Sequence, residues 1–317
     1  MNILVTGGAG FIGSHLSEAL LRAGHAVACL DDFNDYYDPA VKGRNFEAVS
    51  AAGPVRLFEG DLRDTGLVER SFAESKPDLL VHLAARAGVR PSLADPMLYQ
   101  DVNVTGTLRL FEAAARHGCR RVLFASSSSV YGNADRVPFR EDDPEVRPIS
   151  PYGVTKLLGE HYARVWHLLH GLDAICFRFF TVYGPRQRSD MAIHKFIRGV
   201  AAGRPIDVYG DGSTRRDYTY IGDIVRGVTT ALEKPRGFEV VNLGESRTVE
   251  LRELLAVIEK AVGKKAVVNR LPEQPGDVKQ TYADVSKARK LLGYDPSTPI
   301  EEGIKKTVEW FRNEGMI

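Results

Sequence analysis

Short apolar runs alternate with amphipathic stretches through the first half of the chain. Residues 2–7 (NILVTG), 26–32 (AVACLDD), 55–61 (VRLFEGD), 79–85 (LLVHLAA), 121–129 (RVLFASSSS) and 173–180 (DAICFRFF) read as strands. Their nearly continuous apolar character suits a sheet covered on both faces. Helical stretches separate them, at 14–24, 64–75, 98–118 and 152–171. This alternation implies right-handed crossovers and a doubly wound parallel α/β sheet.

After residue 180 the rhythm changes. Loops rich in Gly, Pro, Arg and Asp (183–190, 203–217, 272–280) alternate with helices predicted at about 191–202, 223–233, 250–262 and 284–292, and one more near the C-terminus. The pattern predicts a main domain over 1–180, joined by about 223–245 because EVVNLG (239–244) suits a further strand of the main sheet. A smaller, interleaved α/β lobe is expected over 181–317.

A chain of 317 residues with a net charge of +1 can bury a large core but offers no global attraction to nucleic acid or membrane. Cys29, Cys119 and Cys176 are far apart in apolar surroundings, which predicts free thiols in a reducing compartment and no metal site. No apolar run reaches membrane-spanning length, and the chain opens on a strand. A soluble, cytoplasmic protein is expected.

The first strand runs into TGGAGFIGSH, which places Gly7, Gly10 and Gly13 before the first helix. Glycines there allow a tight turn and let backbone approach a pyrophosphate. The N-terminus of the following helix faces those phosphates with its free N–H groups, and Phe11 and Ile12 between the glycines are expected to bind the cofactor with them. The second strand ends in Asp31-Asp32, where a carboxylate can accept from both ribose hydroxyls of NAD and would repel a 2′-phosphate. NAD is therefore expected over NADP, in a Rossmann domain. Asp61-Leu62 after the third strand and Leu83-Ala84-Ala85 at the end of the fourth are placed to line the same crevice.

Tyr152 and Lys156 lie one helical turn apart in SPYGVTK. An ammonium beside a phenol favours the phenolate, so the pair can act as a general base near neutral pH. The serines of ASSSSVYG (125–132) bring hydroxyls to the carboxyl edge of a central strand.

The ordered set Gly7, Gly10, Gly13, Asp31, Asp61-Leu62, Asn103, Ser127, Tyr152 and Lys156 resembles the extended short-chain dehydrogenase/reductase family over the whole chain, and within it the nucleotide-sugar 4-epimerases. The resemblance implies NAD bound by those glycines, by Asp31, Asp32, Asp61, Asn103, Tyr152 and Lys156, and a catalytic set of Ser127, Tyr152 and Lys156. Ser128 and Ser129 stand where 4,6-dehydratases of the family carry Asp and Glu, and where related decarboxylases carry Glu at the second position.

Further segments resemble the branch that acts on UDP-glucuronate: RFFTVYGPRQRSDMA, AGVRPS, DDFNDYYDP and QPGDV. That resemblance implies Arg188 and Thr181 at the sugar carboxylate, Arg216 at the diphosphate and Asp277 at the uridine ribose. Thr281 stands where some glucose/galactose epimerases carry a bulkier Tyr, implying a roomier sugar pocket. Arg186-Gln187 replaces a Trp-Gly pair common in relatives; a solvated loop charge is the expectation for Arg186. Relatives pair two helices per subunit into a homodimer, here expected from 98–118 and 152–171, with Ala113, Ala114 and Ala115 permitting close packing. The alternatives are a neutral UDP-sugar 4-epimerase (glucose/galactose or the N-acetyl pair), a UDP-glucuronate decarboxylase or dehydratase, and a non-catalytic NAD-binding regulator.

Overall fold

A computed structural model describes residues 1–134, 136–234, 237–273 and 278–317. The strands are β1 (Asn2–Thr6), β2 (Ala26–Asp31), β3 (Val55–Glu59), β4 (Leu79–His82), β5 (Arg121–Ser127), β6 (Asp173–Phe179) and β7 (Thr181–Tyr183). Then come β8 (Ile206–Tyr209), β9 (Arg215–Arg216), β10 (Tyr218–Tyr220), β11 (Phe238–Leu243), β12 (Val249–Glu250) and β13 (Val268–Leu271). The helices of the first half are α1 (Phe11–Arg22), α2 (Pro39–Ala52), α3 (Thr65–Ser75), α4 (Val89–Ala94), α5 (Pro96–Tyr99), α6 (Gly106–Arg116) and α7 (Pro151–His170). Those of the second half are α8 (Ala192–Ala202), α9 (Ile221–Thr229), α10 (Leu251–Val262), α11 (Ser286–Leu292) and α12 (Ile300–Asn313).

Seven strands form one sheet in the order β11-β6-β5-β4-β1-β2-β3, every pair parallel. The chain winds outward from β1 to β3, then crosses back to β4 on the other side of β1. The crevice at the carboxyl ends of β1 and β4 is thus the topological switch point, where such sheets take ligands. The strand expected at 239–244 joins this sheet as β11 beside β6.

Successive residues of β1 serve opposite faces: Ile3 and Val5 pack with Leu16 and Leu20 of α1, whereas Leu4 packs with Leu110 and Phe111 of α6. Burying each such side chain contributes roughly 1.5–3 kcal/mol. A third core joins α8, α10 and α12 through Phe196, Leu254, Ile258, Ile304 and Phe311. Three two-stranded sheets that the sequence pattern did not announce (β7 with β10, β9 with β12, β8 with β13) edge the loops after residue 180.

Several expectations change in detail. Helix α1 begins at Phe11, so Phe11 and Ile12 belong to its first turn. Helix α2 was not anticipated, because its polar and apolar residues are mixed; its start carries a readable signal, Asp38 accepting from Ala40 N with Pro39 next. The stretch 98–118 is not one α-helix: a π-turn at Gln100–Thr105 separates α5 from α6. Ala113 and Ala114 are wholly buried in their own subunit's core, so they are closed to a partner chain. The three thiols are buried and unpaired. No helix among the described residues is long and apolar enough to cross a membrane.

Candidate active site

The switch-point crevice opens into a large cavity whose wall includes Gly7, Gly10, Phe11, Ile12 and Gly13. Gly7 sits at φ +73°, and a Cβ there would come within 2.9 Å of Ala84 N. A Cβ on Gly13 would meet Gly7 O at 2.0 Å. Both positions therefore exclude side chains, and the loop lies close enough to β4 to form a bare backbone cradle. Helix α1 has no side-chain cap at Gly10, which leaves its first-turn N–H groups for an anion. These residues fit a dinucleotide pyrophosphate.

Asp31 is buried at the end of β2; its carboxylate accepts from Ala9 N and Phe33 N, each at 3.0 Å. Burial pushes its pKa up, while the Lys42 charge and those two bonds oppose the rise. Both Asp31 and Asp32 line the cavity, as do Asp61, Leu62, Leu83, Ala84 and Ala85. Asp61 turns its carboxylate to Arg63, at 2.7 Å, and the guanidinium holds it below the usual carboxylate range. Asn103 departs from expectation. It does not line the cavity: its amide donates to Arg86 O (2.9 Å) and Thr155 Oγ1 (3.1 Å) and accepts from Arg86 N (2.8 Å). It braces the wall from behind.

At the start of α7, Ser150 Oγ accepts from Gly153 N at 3.1 Å and Pro151 follows the cap. Tyr152 thus lies in the first turn, with Lys156 and Glu160 on the same face at successive turns. Ser127, Ser128, Ser129, Tyr152 and Lys156 share the cavity wall. Ser127 Oγ donates to Ser129 Oγ at 3.1 Å and accepts from Ser129 N at 3.1 Å.

The expected pairing of Lys156 with the phenol is altered. Lys156 Nζ donates to Ala125 O at 2.7 Å and lies 5.9 Å from the centre of the Tyr152 ring. Burial brings its pKa down to about 7. Burial raises the Tyr152 pKa; the Ser127 hydroxyl and then the Arg188 charge pull it back. The Arg188 charge thus acts on this phenol, while the Lys156 ammonium lies over its ring.

Behind the wall runs a chain of buried groups absent from the sequence reading. Thr107 Oγ1 donates to Asn103 O at 2.5 Å, so it must accept from His82 Nε2, at 2.9 Å. His82 Nδ1 then accepts from Thr6 Oγ1 at 2.7 Å, and Thr6 Oγ1 accepts from Ala84 N at 3.2 Å. Burial, helped by the Lys156 charge, depresses the His82 pKa to about 3, so the imidazole is neutral. Asn103 continues the chain to Thr155 on α7. The glycine-loop strand and the helix of Tyr152 are thereby held in one register.

Across the cavity, Arg188 Nε and Nη2 grip Asp190, each at 2.9 Å. Its Nη1 makes no hydrogen bond among the described residues, so the second edge of the fork is open to a carboxylate. The guanidinium lies over the Tyr36 ring at 5.4 Å. Thr181 lines the same end. Tyr36 was not anticipated. Its hydroxyl is buried without a hydrogen bond, although Tyr99 and Asp190 flank it. An unsatisfied buried hydroxyl costs about 1–3 kcal/mol. Tyr36→Phe should therefore leave the thermal midpoint unchanged or raise it; a clear fall in calorimetry would show that the hydroxyl has a partner.

Arg216 does not line this cavity; its Nη1 donates to Arg215 O (2.9 Å) and Lys279 O (3.3 Å). Asp277 lies outside the described residues. Thr281, also off the cavity wall, accepts from Asp217 N through Oγ1 at 3.2 Å and opens no extra room in it.

Residues 4–307 match the family model described as GDP-mannose 4,6 dehydratase. A UDP-glucuronate 4-epimerase of Thermodesulfobacterium geofontis is 42% identical over 308 residues, covering 97% of this chain and 95% of that one. A protein of Methanocaldococcus jannaschii known only as uncharacterized is 45% identical over 312 residues, 98% of this chain and 96% of that one. The crystal structure of UDP-glucuronic acid 4-epimerase from Bacillus cereus, in complex with UDP-glucuronic acid and NAD, superposes with a TM-score of 0.93 at 37% identity, over 99% of this chain and 100% of that one. Cradle, tyrosine–lysine helix and near-complete coverage agree: the chain belongs to the family described as GDP-mannose 4,6 dehydratase, among the extended short-chain dehydrogenase/reductase nucleotide-sugar enzymes.

Proposed function

We propose that this chain is an NAD-dependent nucleotide-sugar 4-epimerase that interconverts UDP-glucuronate and UDP-galacturonate. The reading rests on one observation: Tyr152, Ser127 and the open edge of Arg188 line one cavity beside a dinucleotide cradle. NAD, when bound, supplies the acceptor and then the donor of the C4 hydride, which no side chain can do.

The chain's own residues handle the proton and the sugar. Tyr152 takes the proton from the 4-hydroxyl and returns it after the 4-keto sugar has turned over. Ser127 bonds the same oxygen and carries the proton between them. Lys156, fixed on Ala125 O, would hold the ribose of the cofactor. Arg188 and Thr181 hold the C6 carboxylate. A 4-keto uronate is a β-keto acid, and it keeps its carboxylate only when that group is twisted out of the ketone π system. Elimination across C5–C6 needs an acid–base pair beside the sugar, where this chain has Ser128 and Ser129.

Residues 1–180, with about 223–245, are assigned to NAD, and 181–317 to the nucleotide sugar. Arg216, which donates to Lys279 O, is assigned to the diphosphate and Asp277 to the uridine ribose. A homodimer fits the exposed apolar stripe of Val154, Val165, Leu168 and Leu169 on α7, with Leu93 on α4 and Met97 on α5. Buried, unpaired thiols fit a cytoplasmic enzyme.

Incubation of the NAD-loaded protein with UDP-glucuronate, followed by NMR, tests the reading: UDP-galacturonate should accumulate. Faster turnover of UDP-glucose, or a UDP-pentose as the main product, would overturn it. Arg188→Ala should lower kcat/KM for UDP-glucuronate roughly tenfold to a hundredfold, the 1.5–3 kcal/mol of charge-assisted hydrogen bonds, and release some pentose. Unchanged turnover with no pentose would remove Arg188 from the site.

A further inference from the structure

We propose that Arg186 is a positioning residue: it locks the loop that bears Arg188 onto α1, the helix whose first turn faces the cofactor, and so sets how firmly the sugar carboxylate is held. The inference rests on the reading of the cavity given above and adds a residue to it.

Arg186 occupies the left-handed region at φ +62°. A non-glycine residue there is strained and persists only where its surroundings hold it. They do. Its Nη1 pairs with Glu18 and reaches Ser14 Oγ at 3.4 Å, both on α1. The pair is well sheltered, with side chains 17% and 9% exposed. Glu18 is also fixed by Arg22 at 2.8 Å. The next contacts reinforce the same docking. His15, again on α1, meets Pro185 O through Nε2 at 3.0 Å. Burial, then the Arg186 charge, hold its pKa at about 4, so the neutral ring donates that bond.

The loop is closed from within as well. Gln187 Nε2 donates to Val182 O at 3.0 Å, and His194 Nδ1 meets Gln187 O at 2.8 Å. Residues 185, 186 and 187 are thus each anchored, and the next residue is Arg188. Arg186 itself is absent from the cavity wall, and its charge is matched by Glu18. It does not compete with Arg188 for an anion; it fixes the backbone from which Arg188 reaches.

The test uses NAD-loaded full-length protein and isothermal titration with UDP-glucuronate and with UDP. Arg186→Gly tolerates the left-handed backbone without strain and removes the side chain with its cation. It should weaken UDP-glucuronate about tenfold and UDP less than about twofold, and the effect should appear in KM more than in kcat. Glu18→Gln should act in the same direction, and the double variant should be no worse than the stronger single one, because both remove one interaction. Arg186→Lys should recover part of the loss. Equal weakening of UDP and UDP-glucuronate would make Arg186 a general fold residue and overturn the proposal, as would no weakening of either. If the wild-type protein epimerises UDP-glucose but not UDP-glucuronate, the substrate reading fails first and takes this inference with it.

Discussion

Tyr152→Phe is expected to fold normally and to lose nearly all turnover, with kcat down by about 10²–10⁴, the usual contribution of a positioned acid–base group. The ring packs edge-on to Tyr99 at 6.3 Å, a contact that phenylalanine keeps. Only the proton-carrying oxygen is lost. The pH profile separates this from a packing effect. Burial raises the Tyr152 pKa, so the phenolate is the minor form at neutral pH. Below about pH 7, where Lys156 keeps its charge, wild-type kcat/KM should therefore rise with pH, approaching tenfold per unit. The residual activity of Tyr152→Phe should lack that limb. A variant with wild-type turnover by NMR, or with the same pH slope, would show that another group moves the proton.

Arg178→Leu should cost about 3–5 kcal/mol of stability, because it leaves a buried carboxylate without its counter-ion. Arg178 Nε and Nη2 bond the two oxygens of Glu160 at 2.9 and 2.8 Å, and both side chains are 4% exposed. Ser126 Oγ completes the carboxylate at 2.5 Å, and the Tyr131 ring lies 4.7 Å from the guanidinium. This cluster joins β5, β6 and α7 one turn beyond Lys156. Chemical denaturation should show the loss. Replacing Glu160 and Arg178 together by apolar residues should restore most of it, since an apolar pair of similar volume carries no desolvation cost. A single variant within about 1 kcal/mol of wild type would mean that water reaches the pair.

What was legible in the sequence was local. The glycine loop declares itself because a strand, a turn and a helix follow within a dozen residues. Tyr152 and Lys156 declare themselves because one helical turn separates them. The strands of the main sheet are legible because burial on both faces makes them apolar throughout. What escaped depends on partners far away in the chain. Arg186 looked like a loop charge because Glu18 lies 168 positions earlier. The His82 chain joins residues separated by 76, 25 and 52 positions, each with an unremarkable neighbourhood. Asn103 was assigned to the cofactor by its place in a motif, while its amide serves Arg86 and Thr155. Spacing gives Lys156 a helix face shared with Tyr152 but does not show the carbonyl of Ala125 that receives its ammonium. Orphaned groups such as the Tyr36 hydroxyl have no sequence signature.

The neutral chain from Thr6 through His82 and Asn103 to Thr155 bears on cooperativity. Its members are buried, and none of its links carries a net charge. Opening any link would strand a polar group in the core, at a cost comparable with a sizeable fraction of a domain's whole stability. The cofactor strand and the catalytic helix therefore belong to one exchange-protected unit that comes apart only with the sheet itself. Thermal fluctuation can loosen how substrate is gripped at the outer loops without loosening where the proton is taken.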